Sequence, residues 1–389
     1  MKFERIFLIV LDSLGVGEAI DAKKFDDVGA NTLGHIMQYN EIDLPNLEKM
    51  GFLNLIKYKN IEKTDSYYTK AHPKANGKDT LTGHLEIMGI RTLKPFKTFT
   101  KTGFPKELID EIERFSGRKV IGNCNASGTE IIKELGERQM KTGELIVYTS
   151  ADSVLQIAAH ENVIPLDELY KICEFARELT LKDEWKVGRI IARPYIGDNK
   201  DNFTRTGNRR DYALNPVKDT VLDNLKNSGY DVIAIGKIND IFNSCGITKT
   251  THTSDNQDGI NVLLDTLKED FNGLCFANLN DFDSKYGHRR DIKGYANAIK
   301  HFDDYLPQIK QLLKLDDMLM IVADHGNDPS YKGTDHTREN IPVLVYSKSF
   351  KDPKHIKELD CFSDIGCTIA SNFKVKLPDV GKSFLNKLK

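Results

Sequence analysis

The stretch Leu319-Met320-Ile321-Val322-Ala323-Asp324-His325-Gly326-Asn327-Asp328 constrains the fold more than any other. Five apolar residues run unbroken into an acid, a histidine and a glycine. A continuous apolar run of this kind suits a strand buried on both faces of a parallel sheet. Ligands of open α/β sheets collect at the carboxyl ends of such strands, where Asp324 and His325 stand. Another histidine follows in Gly333-Thr334-Asp335-His336-Thr337. Asp and His offer the oxygen and nitrogen ligands that Zn²⁺ or Mn²⁺ accepts. A single strand end of this type reads equally well as an Asp capping the next turn beside a bystander histidine. The metal reading gains its weight from repetition.

The pattern occurs twice more. Arg5-Ile6-Phe7-Leu8-Ile9-Val10-Leu11 is a buried strand ending in Asp12-Ser13, followed by the flexible Gly15-Val16-Gly17. Gly273-Leu274-Cys275-Phe276-Ala277-Asn278-Leu279-Asn280 ends in Asp281-Phe282-Asp283, with His288 close behind. Helices are expected over 45–50, 217–228, 256–271, from Asp291 (inner face Tyr295, Ile299, Phe302, Leu306, Ile309, Leu313) and over 365–373, with strands over 230–237 and 341–346. Strands alternating with helices predict an α/β, doubly wound, mostly parallel sheet. Parallel strand ends share one edge, so acids far apart in sequence can meet there. Carboxylates and imidazoles gathered without cations repel, whereas a pair of divalent ions makes the cluster favourable. Two adjacent metals clamp the attacking and leaving oxygens of a phosphoryl transfer.

Two further stretches carry phosphate chemistry. Gly77-Lys78-Asp79-Thr80-Leu81-Thr82-Gly83-His84 runs from a polar loop into an apolar periodic segment and predicts a helix N-terminus. A hydroxyl there meets free N–H groups and the positive dipole end, a favourable site for phosphate, although Thr80 or Thr82 also suits a plain N-cap. From about residue 93 the pattern changes to an α+β unit large enough for its own core, with helices over 105–117, 128–139 and 166–181 and strands over 119–122, 145–152 and 187–192. Its end is basic, with Arg189, Arg193, Arg205, Arg209 and Arg210 within 22 residues, and the spacing Thr204 to Arg210 is loop-like rather than helical. Arginine forks suit phosphate, and a solvated basic face is the plainer alternative.

Composition narrows the partners. The chain has 389 residues with 55 basic and 57 acidic side chains, a net charge of −2. That length predicts two domains or one with a large insertion. The balance gives no case for a nucleic acid or an anionic membrane. Cys124, Cys173, Cys245, Cys275, Cys361 and Cys367 form no C-x-x-C pair, so reduced core thiols of a cytoplasmic protein are expected. No apolar run approaches the roughly 20 residues of a membrane span. The run Ile6 to Leu11 is short, ends in Asp12 and lacks a small-residue cleavage site, so no secretory signal is expected.

These motifs resemble the alkaline phosphatase superfamily and, within it, the phosphopentomutase family. The likeness rests on Phe7 to Gly17, Gly77 to His84, Tyr148 to Gln156, Asp281-Phe282-Asp283 with Tyr286-Gly287-His288-Arg289-Arg290, Asp324 to Asp328 and Gly333 to Thr337, and spans essentially the whole chain. The resemblance implies a metal-binding catalytic core over 1–92 and 216–389 with an inserted α+β cap over 93–215. It implies Asp12, Asp324 and His325 on one metal and Asp283, His288 and His336 on a second, usually Mn²⁺. Asp281 is expected to be a non-ligand. Thr80, four residues before His84, is the implied phosphorylated nucleophile. Ser150, Asp152, Val154, Ile191 and Arg193 are expected at the sugar phosphate, with Arg205, Arg209 and Lys237 as weaker candidates. The implied reaction interconverts α-D-ribose 1-phosphate and D-ribose 5-phosphate, or the 2-deoxyribose equivalents, through phosphothreonine and a bisphosphate, with a sugar bisphosphate as primer and a closing cap to exclude water. A monomer is expected. A metal phosphatase with the same ligands, a phosphoglycerate mutase of the metal-dependent type and a non-enzymatic metal-binding protein are the alternatives.

Overall fold

The computed structural model describes residues 3–150 and 153–388. Their contacts divide the chain into two units, Met1–Lys94 with Pro216–Lys389, and Pro95–Asn215. The first unit is built on a seven-stranded sheet in the spatial order Lys249–Thr251, Asp231–Ile235, Gly273–Leu279, Arg5–Leu11, Asp317–Val322, Ile341–Tyr346, Tyr67–Ala71. The first five strands are parallel, and Ile341–Tyr346 runs antiparallel to both its neighbours.

The central three strands, Gly273–Leu279, Arg5–Leu11 and Asp317–Val322, are buried along their whole length. This explains their unbroken apolar sequences, since a strand covered on both faces has no polar side. Each fully buried Leu, Ile or Phe contributes about 1.5–3 kcal/mol. The register sets the site. Val10 pairs with Val322, and Leu11 pairs with Leu279. Two residues beyond Val10 and Val322, the next side chains at the same level are Asp12 and Asp324.

At the other end of these strands Arg5, 2% exposed, pairs across the register with Asp317. Its Nε and Nη2 donate to the two carboxylate oxygens at 2.9 and 2.6 Å, and its Nη1 donates to the carbonyls of Leu267 and Glu269. The buried charge is thus fully partnered, the condition under which burial is tolerated.

The elements expected from sequence are present with ends shifted by a few residues. The 217–228 helix begins at Val221, and Val217 is 77% exposed. Helix Thr32–Tyr39 and strands Tyr67–Ala71 and Lys249–Thr251 were not anticipated. They are only eight, five and three residues long, so their periodic signal is weak.

The second unit carries another sheet in the order Val120–Asn125, Leu145–Thr149, Val154–His160, Arg189–Ile196, Thr204–Arg205, with Arg210–Ala213 also pairing Arg189–Ile196. Helices Lys106–Ser116 and Leu166–Leu179 cover one face through Leu108, Ile112, Leu169 and Ile172. Helix Gly128–Thr142 covers the other through Ile131 and Ile132. The sequence reading ran one strand to residue 152 and missed Val154–His160, which pairs antiparallel with Leu145–Thr149. Phe115 is 50% exposed and stacks on Phe175. Of the six cysteines, expected in the core, Cys173, Cys275 and Cys367 are buried and Cys124 is exposed; none is in a disulfide. Among the described residues no helix is long and apolar enough to cross a membrane.

Asp317→Ala should leave the Arg5 charge buried and alone, lowering unfolding free energy by about 3–5 kcal/mol in urea titrations. Replacing Arg5 and Asp317 together by Met and Leu should cost far less. Equal losses for the two variants would show that the ion pair is not the source of the effect.

Candidate metal centre

Asp12, Asp324 and His325 emerge side by side from the paired strands. Asp12 Oδ1 is 3.5 Å from His325 Nε2, and Asp324 Oδ2 is 3.2 Å from it. Ser13, with φ of 69°, adopts a left-handed conformation, uncommon for a residue with a side chain. Its N–H donates to Asp324 Oδ1 at 3.0 Å.

The third strand delivers its ligands by a different device. Phe282–Gly287 forms a π-type turn, and the His288 N–H donates to the Asp283 carbonyl five residues back at 3.0 Å. Such wide turns are rare and cluster at functional sites. This one brings His288 Nε2 to 3.2 Å from Asp283 Oδ2. His336 completes the group, its Nε2 3.3 Å from Asp283 Oδ1 and 3.0 Å from His288 Nε2. Asp281 does not join it. Its Oδ2 accepts from the Asn256 N–H and pairs with Lys285.

Ligand atoms of Asp283, His288 and His336 lie within 4.8 Å of one another, as do those of Asp12, Asp283 and His325. Asp283 therefore reaches both groups, where the sequence assignment gave it to one.

The donor set fits divalent cations. His288 Nδ1 is 3.0 Å from the Thr334 carbonyl, His336 Nδ1 is 3.1 Å from that of Lys78, and His325 Nδ1 is 3.0 Å from that of Gly326. A carbonyl only accepts, so each Nδ1 carries a proton and each Nε2 turns its lone pair inward when the ring is neutral. Two such nitrogens at 3.0 Å repel unless a cation lies beside them. Among the described residues Asp12 Oδ1 is buried with no hydrogen-bond partner, and Asp324 Oδ2 has only the imidazoles of His325 and His84, each at 3.2 Å and neither in good hydrogen-bond alignment. Without a cation the charges distort one another. Burial, then the Asp324 and Asp283 carboxylates, push Asp12 up to about 6, while Lys237 and His325 pull it back. Burial raises Asp324 too, but His325 and His84 hold it far below the carboxylate range. His336 and His288 overcome burial in the same way for Asp283. Burial lowers His325, and the Asp324, Asp283 and Asp12 carboxylates lift it well above its ordinary value.

The hydroxyl stands at the edge of this cluster. Helix Thr80–Ile87 is capped by Asp79, not by a threonine. Asp79 Oδ1 accepts from the Thr82 N–H at 3.0 Å and Oδ2 accepts from the Thr82 hydroxyl at 2.6 Å. Thr80 Oγ1 is instead 3.1 Å from His325 Nε2. Gly83 permits this approach: a Cβ there would lie 2.1 Å from the Asp324 carbonyl oxygen.

The substrate residues expected in the second unit are gathered in part. Val154 pairs with Arg189, Gln156 with both Ile191 and Tyr148, and Ala158 with Arg193, so Tyr148, Val154, Gln156, Arg189, Ile191 and Arg193 share one face of its sheet. Val154 and Ile191 are buried, and Ser150 is half-buried. Asp152 lies outside the described residues. Arg193 Nε donates to Gln156 Oε1 at 3.0 Å, and burial, then the Arg209 charge, lower it to about 10. Arg209 is held by both oxygens of Asp211 at 2.6 Å. The Tyr148 hydroxyl is buried without a hydrogen-bond partner among the described residues, within the field of Arg193, Arg205 and Arg209. Lys237 belongs to the first unit, following strand Asp231–Ile235, where its charge favours ionised Asp12.

A family model described as Metalloenzyme superfamily matches residues 4–377. The chain belongs to the Metalloenzyme superfamily. Its core is an α/β sheet, mostly parallel, as the sequence predicts. Similar solved structures include a protein from Pyrococcus horikoshii (15% identity, covering 96% of this chain and 98% of that one, TM-score 0.49). Another is the Leishmania mexicana phosphoglycerate mutase solved at low cobalt concentration (12%, 98% and 97%, TM-score 0.49). A third is an alkaline phosphatase superfamily protein from Vibrio parahaemolyticus (12%, 100% and 71%, TM-score 0.46).

Sequence reasoning about this metalloenzyme missed the residues that hold the ligands. Asn278 Nδ2 donates to Asp12 Oδ2 at 3.0 Å, and Asn327 Nδ2 donates to Asp283 Oδ1 at 2.7 Å. A signal existed for Asn278, a lone polar residue inside an otherwise apolar strand.

Asp324→Asn or His336→Ala should each cost about one bound ion in elemental analysis and lower turnover by at least ~10–100-fold. Chelation should abolish activity and added Mn²⁺ restore it. Full activity in a metal-free sample would end the two-metal reading.

Proposed function

We propose that this metalloenzyme is a phosphopentomutase. It would interconvert α-D-ribose 1-phosphate and D-ribose 5-phosphate, and the 2-deoxyribose equivalents, through phospho-Thr80. The observation that carries the reading is the contrast between the two hydroxyls. Thr80 Oγ1 faces the ligand cluster at 3.1 Å from His325 Nε2, while the Thr82 hydroxyl is occupied by Asp79.

Asp12, Asp324 and His325, and Asp283, His288 and His336, would hold two divalent ions, with Mn²⁺ the assigned metal. Such ions, when bound, supply positive charge that favours an ionised hydroxyl and neutralises the transferring phosphoryl group. The chain's own contribution is positional. Thr80 sits in the first turn of its helix, where free N–H groups and the dipole favour phosphate. In the forward half-reaction the phosphorus–oxygen bond to Thr80 breaks as one forms to the free hydroxyl of the sugar phosphate, whose proton is released. In the second half the bisphosphate presents its other phosphoryl group, which returns to Thr80 Oγ1. A sugar bisphosphate would phosphorylate the resting enzyme.

A mutase must also hold the phosphate that is not reacting. Arg193, Arg205 and the unpartnered Tyr148 hydroxyl are the groups assigned to it. Arg209 is the weaker candidate because Asp211 already neutralises it. A metal-dependent phosphatase would use the same ligands and differ in transferring the phosphoryl group to water. The remaining assignments, a cytoplasmic monomer acting on a pentose phosphate, follow the same reading.

Incubation with a pentose bisphosphate should place one phosphoryl group on Thr80, located by mass spectrometry of the digested protein. Thr80→Ala should abolish isomerisation, and Thr82→Ala should retain part of it. A label on Thr82 with Thr80 clean would show that the other hydroxyl is the nucleophile. Release of inorganic phosphate from ribose 5-phosphate without isomerisation would identify the phosphatase.

Arg193→Ala and Arg205→Ala should each lower kcat/KM for ribose 5-phosphate by about one to two orders of magnitude, the ~1.5–3 kcal/mol of a charge-assisted contact. Metal content should not change. Normal kinetics in both variants would remove the arginines from the substrate site.

A further inference from the structure

We infer that Asn278 and His84 are positioning residues that join the nucleophile's helix to the Asp12 metal ligand, although neither stands among the ligands. The links are buried and continuous. His84, with no exposed surface, has Nδ1 2.9 Å from the Thr80 carbonyl. That carbonyl only accepts, so Nδ1 carries the proton and Nε2 is the acceptor. Asn278 Nδ2 lies 3.4 Å from His84 Nε2 and 3.0 Å from Asp12 Oδ2. An amide nitrogen has two hydrogens, and both partners here need one.

This arrangement fixes the amide's orientation. Flipping Asn278 would place its oxygen against the Asp12 carboxylate and against the His84 lone pair, two repulsive contacts in place of two favourable ones. The observed orientation leaves Asn278 Oδ1 with no partner, a cost that persists only if the two donated bonds outweigh it. Phe276, two residues earlier on the same strand face, lies against the His84 ring with centroids 5.8 Å apart.

The consequence falls on Asp12. Asn278 ties Oδ2, so Oδ1 is the oxygen presented to the cluster, and that atom lacks any hydrogen bond. The same chain fixes the Thr80 end of the helix through its own carbonyl. Asn278 therefore sets which Asp12 oxygen is free to bind a cation, and links that carboxylate through His84 to the Thr80 end of the helix. The inference rests on the two-metal reading of the site.

The test titrates Mn²⁺ alone into chelator-stripped full-length protein, read by calorimetry, with thermal melts to confirm folding. Wild type should take up two ions. Asn278→Ala should bind one of them ~10–100-fold more weakly and leave the other unchanged. Asn278→Asp keeps the shape but replaces both donors with acceptors beside Asp12, and should weaken the same ion at least as much. His84→Asn can keep a donor near the Thr80 carbonyl but loses the acceptor for Asn278; it should weaken that ion less than Asn278→Ala. Unchanged affinity in both Asn278 variants, with two ions in wild type, would overturn the inference and leave the metal reading standing. No uptake by wild type would overturn the metal reading itself. If Asn278→Ala fails to fold, the isosteric Asn278→Asp decides, since a merely space-filling role predicts two tight ions there.

Discussion

The structure depends on an electrostatic conflict at one sheet edge. Asp12, Asp283 and Asp324 are buried together, within reach of His288, His325 and His336. Burial penalises every charge in that group, and the carboxylates raise one another, as the upward shift of Asp12 shows. The histidines relieve some of this by pulling Asp324 and Asp283 down. Yet their Nε2 atoms turn toward each other, held by carbonyls on the far side of each ring. An arrangement that strains both acids and bases is stabilised by cations, and it is stable as a scaffold because the strands beneath it are apolar throughout.

Local backbone features aim this cluster. A left-handed Ser13 brings its N–H to Asp324. A π-type turn folds His288 back onto Asp283. Gly83 lets helix Thr80–Ile87 approach the Asp324 carbonyl more closely than any side chain would allow. At the opposite strand ends the Arg5–Asp317 pair fixes the same register that places Asp12 opposite Asp324. Stability at one end of the sheet and chemistry at the other thus rest on one alignment.

The second unit treats charge differently. Its arginines lie on a sheet face where Asp211 neutralises Arg209, while among the described residues Arg193 donates through Nε to a neutral glutamine. Tyr148 adds a buried hydroxyl without a hydrogen-bond partner among the described residues. Sequence showed the arginines as a cluster, but Asp211 and Gln156, which divide them into paired and open, gave no sequence signal of that role.

Sequence alone determined the buried parallel strands, because a run such as Leu319 to Ala323 has no polar face to show water. It also determined that acids and a histidine stand at their ends, since each run stops at a charged residue. It marked the change of pattern near residue 93, and the contacts divide the chain at Lys94 and Asn215. It could not show which oxygen or nitrogen of each ligand faces inward. That depends on partners distant in the chain: Asn278 for Asp12, Ser13 for Asp324, Asn327 for Asp283. Sequence preferred Thr80 to Thr82 only through the resemblance, by its place four residues before His84. The partners of the two hydroxyls, Asp79 for Thr82 and His325 for Thr80, depend on how the helix packs against the strand end. Composition and periodicity report how much of a side chain must be hidden, whereas the direction of a lone pair is settled by whichever donor the tertiary fold brings to its other side.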